Sequence, residues 1–446
     1  MNWHRWSSVL AVTVLFGSIA AGCSTGNKAA TSTPVGNESS PAAVSNGAKE
    51  KFVFWDKGEY TQAYNNLMKE RVEAFGKANN IETEYVVVSQ NDLKTKLLAA
   101  IEAKNPPDLI VANDPVAKQF VASDQLVDTS DIITKINFTE GAKKFSVVQD
   151  KYFMVPQSFQ MGGAYLRKDL WEKHNLPIPK TWQELYEQAK IVNDPKNGIY
   201  AVGLPLGQSG GGDAESFVRD VILAYGGAVV DKDNNIVVNS KETLEAFTFL
   251  AQFWKEGLTP PSSVTWDDNG NNNAYLAGTV GFIINSGSVY DQAKKDKPEL
   301  EKNTLLIPKL AGPKGDFILG GGNVFAIFKN AKGTKWAKKF VTEFFDKDFY
   351  NKFVEVMGGK FQPVLKGSEE MPFWKDPNNK AAGWMKMVDS VVGSSNYPGP
   401  EDDLGSKAKS MQLTTRAVQR IVVEKMDPQK SLNQLEQELK QLYGKK

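Results

Sequence analysis

The stretch from Lys51-Phe-Val-Phe-Trp55 to Asn113-Asp114-Pro115 decides the fold. Phe52 and Phe54 alternate with their neighbours at the period of two that marks a strand. Tyr64, Leu67, Met68, Val72 and Phe75 then recur on one helical stripe, and Ile81 to Val88 forms a second strand. Asn91 to Ile101 reads as a helix, Pro106-Pro107 breaks the chain, and Leu109-Ile-Val-Ala112 is a third strand. Strands alternating with amphipathic helices at this spacing predict βαβ units and a largely parallel sheet, an α/β fold. Asp114 is expected to cap the next helix, with Pro115 at its first position.

The pattern continues toward the C-terminus. Thr181-Trp-Gln-Glu184 is a capping box, and Ser240 caps a helix whose stripe is Leu244, Phe247, Leu250, Ala251 and Trp254. Thr279 to Ile284 reads as a strand and Phe317 to Phe328 as another. Helices are expected over Lys335–Phe345, Tyr350–Met357, Ser406–Lys425 and Ser431–Tyr443. A body of this length exceeds one core, so two lobes are expected.

The N-terminus has a different character. A basic start and an apolar run from Val9 to Ala21 form a secretory signal over residues 1–22, too short for an ordinary membrane span. Ala20-Ala21-Gly22-Cys23 resembles a bacterial lipobox, with Ala20 where Leu is usual, and makes Cys23 the expected site of lipidation. The Ser-, Thr-, Asn- and Pro-rich residues up to position 49 read as a disordered, lipid-anchored linker.

Composition narrows the chemistry. The 446 residues carry 53 Lys plus Arg against 52 Asp plus Glu, so charge gives no reason to expect nucleic acid as a partner. The single cysteine and the two histidines, His4 and His174, cannot supply a thiolate or His-rich zinc site. Neither a metal nor a cofactor is expected. His4 falls in the signal, which leaves His174 alone, and it reads as a solvated helix end. Paired carboxylates remain the one route to hydrolysis, and the adjacent Asp267 and Asp268 are poorly placed to face each other.

Ligands of open α/β sheets bind beyond the carboxyl ends of the strands, which selects Trp55, Asp114 and Asn285-Ser286-Gly287-Ser288. Trp266-Asp-Asp-Asn-Gly-Asn-Asn-Asn273 is an amide- and carboxylate-rich loop led by an indole. Such groups suit a hydroxyl-rich ligand, with Asp268 and Asn272 as hydrogen-bonding partners and Trp266 as platform. Gly320-Gly321-Gly322 lacks the Lys-Ser/Thr of a phosphate loop and reads as close backbone approach to a ligand or another strand. Asp231, Asp233, Asn235 and Glu242 match calcium-loop positions, but Ile236 stands where glycine is required, so a hairpin is expected.

Tyr152-Phe-Met-Val-Pro156, Gly162-Gly-Ala-Tyr165-Leu-Arg-Lys-Asp169-Leu-Trp171 and Leu176-Pro-Ile-Pro179-Lys-Thr-Trp182 carry a resemblance over the whole body. Ala274-Tyr-Leu-Ala-Gly278, Phe282-Ile-Ile-Asn285 and Ala337-Lys-Lys-Phe340 follow in the matching order. Together they resemble the extracellular solute-binding proteins of bacterial carbohydrate ABC importers, the relatives of maltose-binding protein. The resemblance implies a two-lobed periplasmic-binding-protein-like fold with a ligand cleft between lobes and three hinge crossings. The lobes would comprise residues 50–157 plus 309–358 and 158–308 plus 359–446, with Gln362-Pro363 in the third crossing. It places ligand contacts at Trp55, Asp114, Gln160, Met161, Trp266, Gly321 and Gly322. It also implies a monomer on the outer face of the membrane, delivering a small carbohydrate to ABC permease subunits without catalysis. Ser286-Gly287-Ser288 stands where maltodextrin binders usually carry Trp, which favours a mono- or short oligosaccharide over a long α-glucan. The alternatives are the same fold with a phosphorylated polyol or a polyamine as cargo, and a secreted carboxylate-dependent glycoside hydrolase.

Overall fold

The computed structural model describes residues 49–446 except 60–61, 209–211, 394–395, 401 and 445–446. The signal segment, Cys23 and nearly all of the linker lie outside the described residues. The strands of the two principal sheets are β1 (Lys51–Asp56), β2 (Glu82–Val87), β3 (Leu109–Asn113), β4 (Val155–Phe159), β5 (Gly163–Arg167), β6 (Phe282–Asn285), β7 (Thr304–Ile307) and β8 (Gly322–Ile327). The helices that bear on function are α1 (Gln62–Asn79), α2 (Asp114–Ala122), α3 (Asp213–Tyr225), α4 (Lys241–Lys255), α5 (Gly270–Leu276) and α6 (Asp403–Ser410).

The first sheet has the order β2-β1-β3-β8-β4 and the second β6-β5-β7. The expected parallel pairing holds for β1 with β2 and β3. It fails at β8, which runs antiparallel to β3 and β4, and in the second sheet, which is antiparallel throughout. Chain direction explains this. β3 and β4 run toward Asn113 and Phe159, where they meet the start of β8 at Asn323 and Gly322. A strand that returns from the second sheet and enters at that edge must run away from it, opposite to its neighbours.

The interior divides into two clusters, and the second sheet contributes to both, with Tyr165 and Ile283 in the first. Phe52, Phe54, Ile110, Val111 and Phe325 are buried in the first, with Tyr64, Leu67, Met68, Val72 and Phe75 of α1 laid over them as their periodicity predicts. Leu166, Trp171, Trp182, Phe282 and Phe247 belong to the second. Thr181 accepts from the Glu184 amide at 3.1 Å and Ser240 from the Thr243 amide at 3.1 Å, so both caps form. The Glu184 carboxylate reaches the Lys180 amide, one residue short of the box geometry.

Three expectations are corrected. Helix α4 buries Ala246, Phe249 and Phe253 beside Phe247, Leu250 and Ala251, while Leu244 and Trp254 sit at the margin. It is covered on more than one side, and a single-stripe reading underestimates that. The run Ser406–Lys425 breaks at Gln412, which adopts φ +52°, and Glu215 accepts the Thr415 amide at 2.9 Å at the start of the new helix. The run Phe317–Phe328 is two strands: Ile318–Leu319 pairs with Val391–Gly393, and β8 begins after the glycines. The Asp231 segment is the expected hairpin, closed by the Asp231 amide on Asn235 O at 2.9 Å. His174 is exposed at a helix end, also as expected.

Gly322 shows why glycine stands at the sheet's edge. A Cβ there would fall 2.0 Å from the Ser158 carbonyl oxygen of the adjacent strand, a backbone atom that cannot swing away. Overpacking of this kind costs about 1–3 kcal/mol. Gly322→Ala is therefore expected to lower unfolding free energy by that amount in urea denaturation, and an unchanged midpoint would contradict the tight β4–β8 pairing.

Candidate functional site

The strand ends converge on a cavity of ≈ 270 Å³. Asn113 and Asp114 come from the end of β3, Gly321 and Gly322 from the start of β8, and Gln160 to Gly162 from the link between β4 and β5. Asn285 and Ser286 lie at the end of β6, Asp268, Asn269 and Asn272 at the start of α5, and Asp213 in the first turn of α3. Both sheets contribute walls, and the link residues form the floor.

Asp114 does not cap α2. The helix begins one residue earlier than the sequence reading places it, with Asn113 as N-cap and no side-chain cap bond. That frees the Asp114 carboxylate to turn toward β8, where Oδ1 accepts the Gly322 amide at 3.2 Å. Lys118 Nζ lies 3.2 Å from Oδ2, one helical turn along, and both residues are buried. An added Cβ at Gly321 would come 2.6 Å from Asp114 Oδ1, so glycine is needed for the carboxylate to sit there. Beside it, Asn113 Oδ1 is buried without a hydrogen-bond partner among the described residues and faces the same cavity.

On the opposite wall the amides are linked to one another. Asn285 Nδ2 donates to Asn272 Oδ1, and Asn285 Oδ1 accepts the Ser286 amide at 2.7 Å. Asn271, fully buried, donates to Ile284 O at 3.1 Å and ties α5 to β6. Asp268 Oδ1 accepts the amides of Gly212 at 3.3 Å and Asp213 at 3.2 Å, where the positive end of α3 stabilises its charge. The Asp213 carboxyl still meets water but is crowded by protein on the cleft wall. That crowding first, and the Asp268 charge second, raise its pKa to about 7, with Lys309 opposing. Lys309 pairs with Asp220, whose other oxygen accepts the Leu319 amide at 3.0 Å.

Next to Gly322 of the first wall, Asn323 leads to a buried ionic cluster. Glu59 is flanked by Lys57 at 2.7 Å and Lys360 at 2.5 Å, and accepts from Asn323 Nδ2 at 3.1 Å. Burial pushes Glu59 up, but the two ammonium groups outweigh it and hold the carboxyl at about 2. Burial raises neighbouring Asp56 to about 6, against the donating hydroxyls of Tyr64 at 2.8 Å and Tyr85 at 3.0 Å.

Of the residues singled out in the sequence, Asp114, Gln160, Met161, Asp268, Asn272, Ser286, Gly321 and Gly322 line this one cavity. Two do not. Trp55 packs partly buried against the first core, and Trp266 lines a separate groove on the far side of α5. Gln362 joins β4 and the link after it, donating its backbone amide to Phe159 O at 3.2 Å and accepting the Met161 amide on Oε1 at 3.3 Å. Sequence reasoning missed Asp213, Asp220, Lys309 and the Lys57–Glu59–Lys360 cluster. The polar run Asp56-Lys57-Gly58-Glu59 after an apolar strand was the available signal for the last of these. Phe217 is the one aromatic residue among the described lining residues, so the cavity's chemistry is that of amides, hydroxyls and carboxylates, with the ammonium groups of Lys309 and Lys409.

Residues 70–382 match the model of a bacterial extracellular solute-binding protein family. A putative ABC transporter periplasmic-binding protein of Escherichia coli, YcjN, is 25% identical over 399 residues, 84% of this chain and 89% of its own. Among solved structures, the GacH receptor of Streptomyces glaucescens, known unliganded and with acarbose, superposes with TM-score 0.74 at 17% identity, covering 88% of this chain and 98% of its own. Maltose-bound MalE3 of Thermotoga maritima gives 0.72 at 19% identity, covering 88% and 99%. At those identities the structural matches show a shared fold, that of two-lobed binding proteins.

The Asp213 shift has a consequence for stability. Its folded pKa lies above the unfolded value of 3.8, so the folded state binds the extra proton between those limits. Stability thus falls as pH rises from about 4 through 7, and the penalty is fully present above 7. Asp213→Asn should raise the melting temperature at pH 8 more than at pH 4.5. An equal shift at both pH values would show that Asp213 titrates normally.

Proposed function

We propose that this chain, which belongs to the bacterial extracellular solute-binding proteins, captures a mono- or short oligosaccharide between its lobes and delivers it to an ABC permease. The observation that carries the reading is the cavity itself. Amides, hydroxyls and carboxylates from both sheets converge on one small space at the strand ends, the groups that pair with sugar hydroxyls. At ≈ 270 Å³ it lies near the lower end of the ~300–1,000 Å³ typical of ligand sites, which supports a short ligand. The acarbose bound by GacH and the maltose bound by MalE3 support the ligand class.

The energetics are consistent. A micromolar Kd corresponds to about 8 kcal/mol. Hydrogen bonds to charged groups contribute roughly 1.5–3 kcal/mol each, so contacts to Asp114, Asp213 and Asp268 with several amides reach that level after ordering costs.

The lobes comprise residues 50–157 plus 309–358 and 158–308 plus 359–446, and ligand holds them together by touching both. Helix α2 of the first packs on α6 of the second, which supports a closed form. The chain acts without catalysis, cofactor or metal, as a monomer. Residues 1–22 direct export, and Cys23 carries the lipid that anchors it through the linker to the outer face of the membrane. No helix among the described residues is long and apolar enough to cross a membrane.

Calorimetry and thermal shift against mono- and disaccharides, polyols, glycerophosphates and polyamines test the reading. A cognate sugar at ~100 Kd should stabilise the protein by about 2.7 kcal/mol. Asn272→Ala should weaken it about tenfold, the effect of ~1.4 kcal/mol. Stabilisation by a polyamine or phosphate alone, or release of product from a glycan, would overturn the proposal. Cys23→Ser should move the protein from the membrane to the soluble fraction, and unchanged fractionation would refute the anchor.

A further inference from the structure

The indole that leads the amide-rich loop is not in the cleft, and its surroundings have a chemistry of their own. Helix α5 divides two concavities. Asn269 and Asn272 face the cleft, while Gly270, Asn273 and Ala274 line a groove of ≈ 680 Å³ on the opposite side, with Trp266 and Tyr200. We propose that this outer groove is a second carbohydrate site, separate from the cleft, that takes a neutral oligosaccharide chain with Trp266 as its platform.

Trp266 is held in place. Its Nε1–H donates to Ser262 Oγ at 3.1 Å. A Cβ on Gly270 would fall 2.2 Å from the indole Cγ, so the ring lies directly on the helix backbone at the one position without a side chain. A Cβ on Gly207 would come 1.9 Å from the Trp266 carbonyl oxygen, which clamps the backbone as well. An indole fixed this way loses little freedom when a sugar ring stacks on it.

The polar groups around it complete the pattern. Asn273 is exposed, and its side chain makes no hydrogen bond to any described residue, leaving two donors and an acceptor for hydroxyls. Asp267 accepts the Asn269 amide on one oxygen at 3.0 Å and is exposed on the groove. It is the one charged residue among the described lining residues, which argues for a neutral ligand. The groove's ≈ 680 Å³ lies within the ~300–1,000 Å³ typical of ligand sites. The site stands whether or not the cleft takes a sugar.

The test uses the full chain with the cleft weakened by Asp114→Asn and Asn272→Ala, and saturation-transfer NMR with malto-, cello-, xylo- and chitohexaose as probes. Saturation transfer to at least one hexaose should persist in that background and fall at least tenfold on adding Trp266→Ala. Asn273→Ala, at an exposed position, should weaken the same probe several-fold with an unchanged melting temperature, which separates lost contact from lost folding. Binding unaffected by both changes, or no transfer to any hexaose, overturns the outer site. Neither result bears on calorimetry of the intact cleft.

Discussion

Glu59, closed between Lys57 and Lys360, is the interaction on which the architecture of the cleft depends. Each of the three side chains is almost fully removed from water. An isolated charge there would be strongly unfavourable, and removing one partner strands the others. The cluster joins the end of β1, the Asn323 side-chain amide of β8 and the segment at Lys360. Three segments distant in sequence are thus held in register beside Gly322 of the cleft lining. The neighbouring backbone is equally tight: a Cβ on Gly287 would lie 2.5 Å from the Gly359 carbonyl, so the turn after β6 bears directly on the segment that carries Lys360.

Recognition in the cleft is divided between two kinds of wall. The Asp114 wall is anchored by an ion pair to Lys118 and by a β8 amide, so its charge is compensated before any ligand arrives. The α5 wall is a chain of side-chain amides with Asp213 and Asp268 at its end. There crowding by protein, with the Asp268 charge second, leaves the Asp213 carboxyl near its titration point. A hydroxyl can donate to one wall and accept from the other, which suits a ligand whose groups do both.

Much of this was legible in the sequence because it rests on local rules. The α1 stripe, the Thr181 and Ser240 caps and the hairpin at Asp231 follow from spacing and turn chemistry over a few residues. The places of Asp114 and Ser286 at one site follow from the rule that ligands meet strand ends, and those of Gly321 and Gly322 from the family resemblance. What was hidden depends on partners far away in the chain. The direction of β8 is set by where the chain re-enters the first sheet, and Lys360 meets Glu59 across some three hundred positions. Trp266 and Asp268 are neighbours in sequence yet line different concavities, because the short helix behind them has two faces that composition alone does not resolve.

That two-faced helix has a consequence for how the loop can vary. Successive residues of an α-helix are rotated by about 100°, since 3.6 residues complete a turn. Asn272 and Asn273 are the same residue type assigned to different chambers by that rotation alone. Substitution at either position alters one chamber and leaves its neighbour intact. An insertion or deletion of a single residue between Trp266 and Asn271 turns the whole helix. It would lift Asn271 from the Ile284 carbonyl and exchange the linings of both chambers together. The segment is therefore open to change in composition and closed to change in length, a constraint that a family comparison would register as a gap-free block.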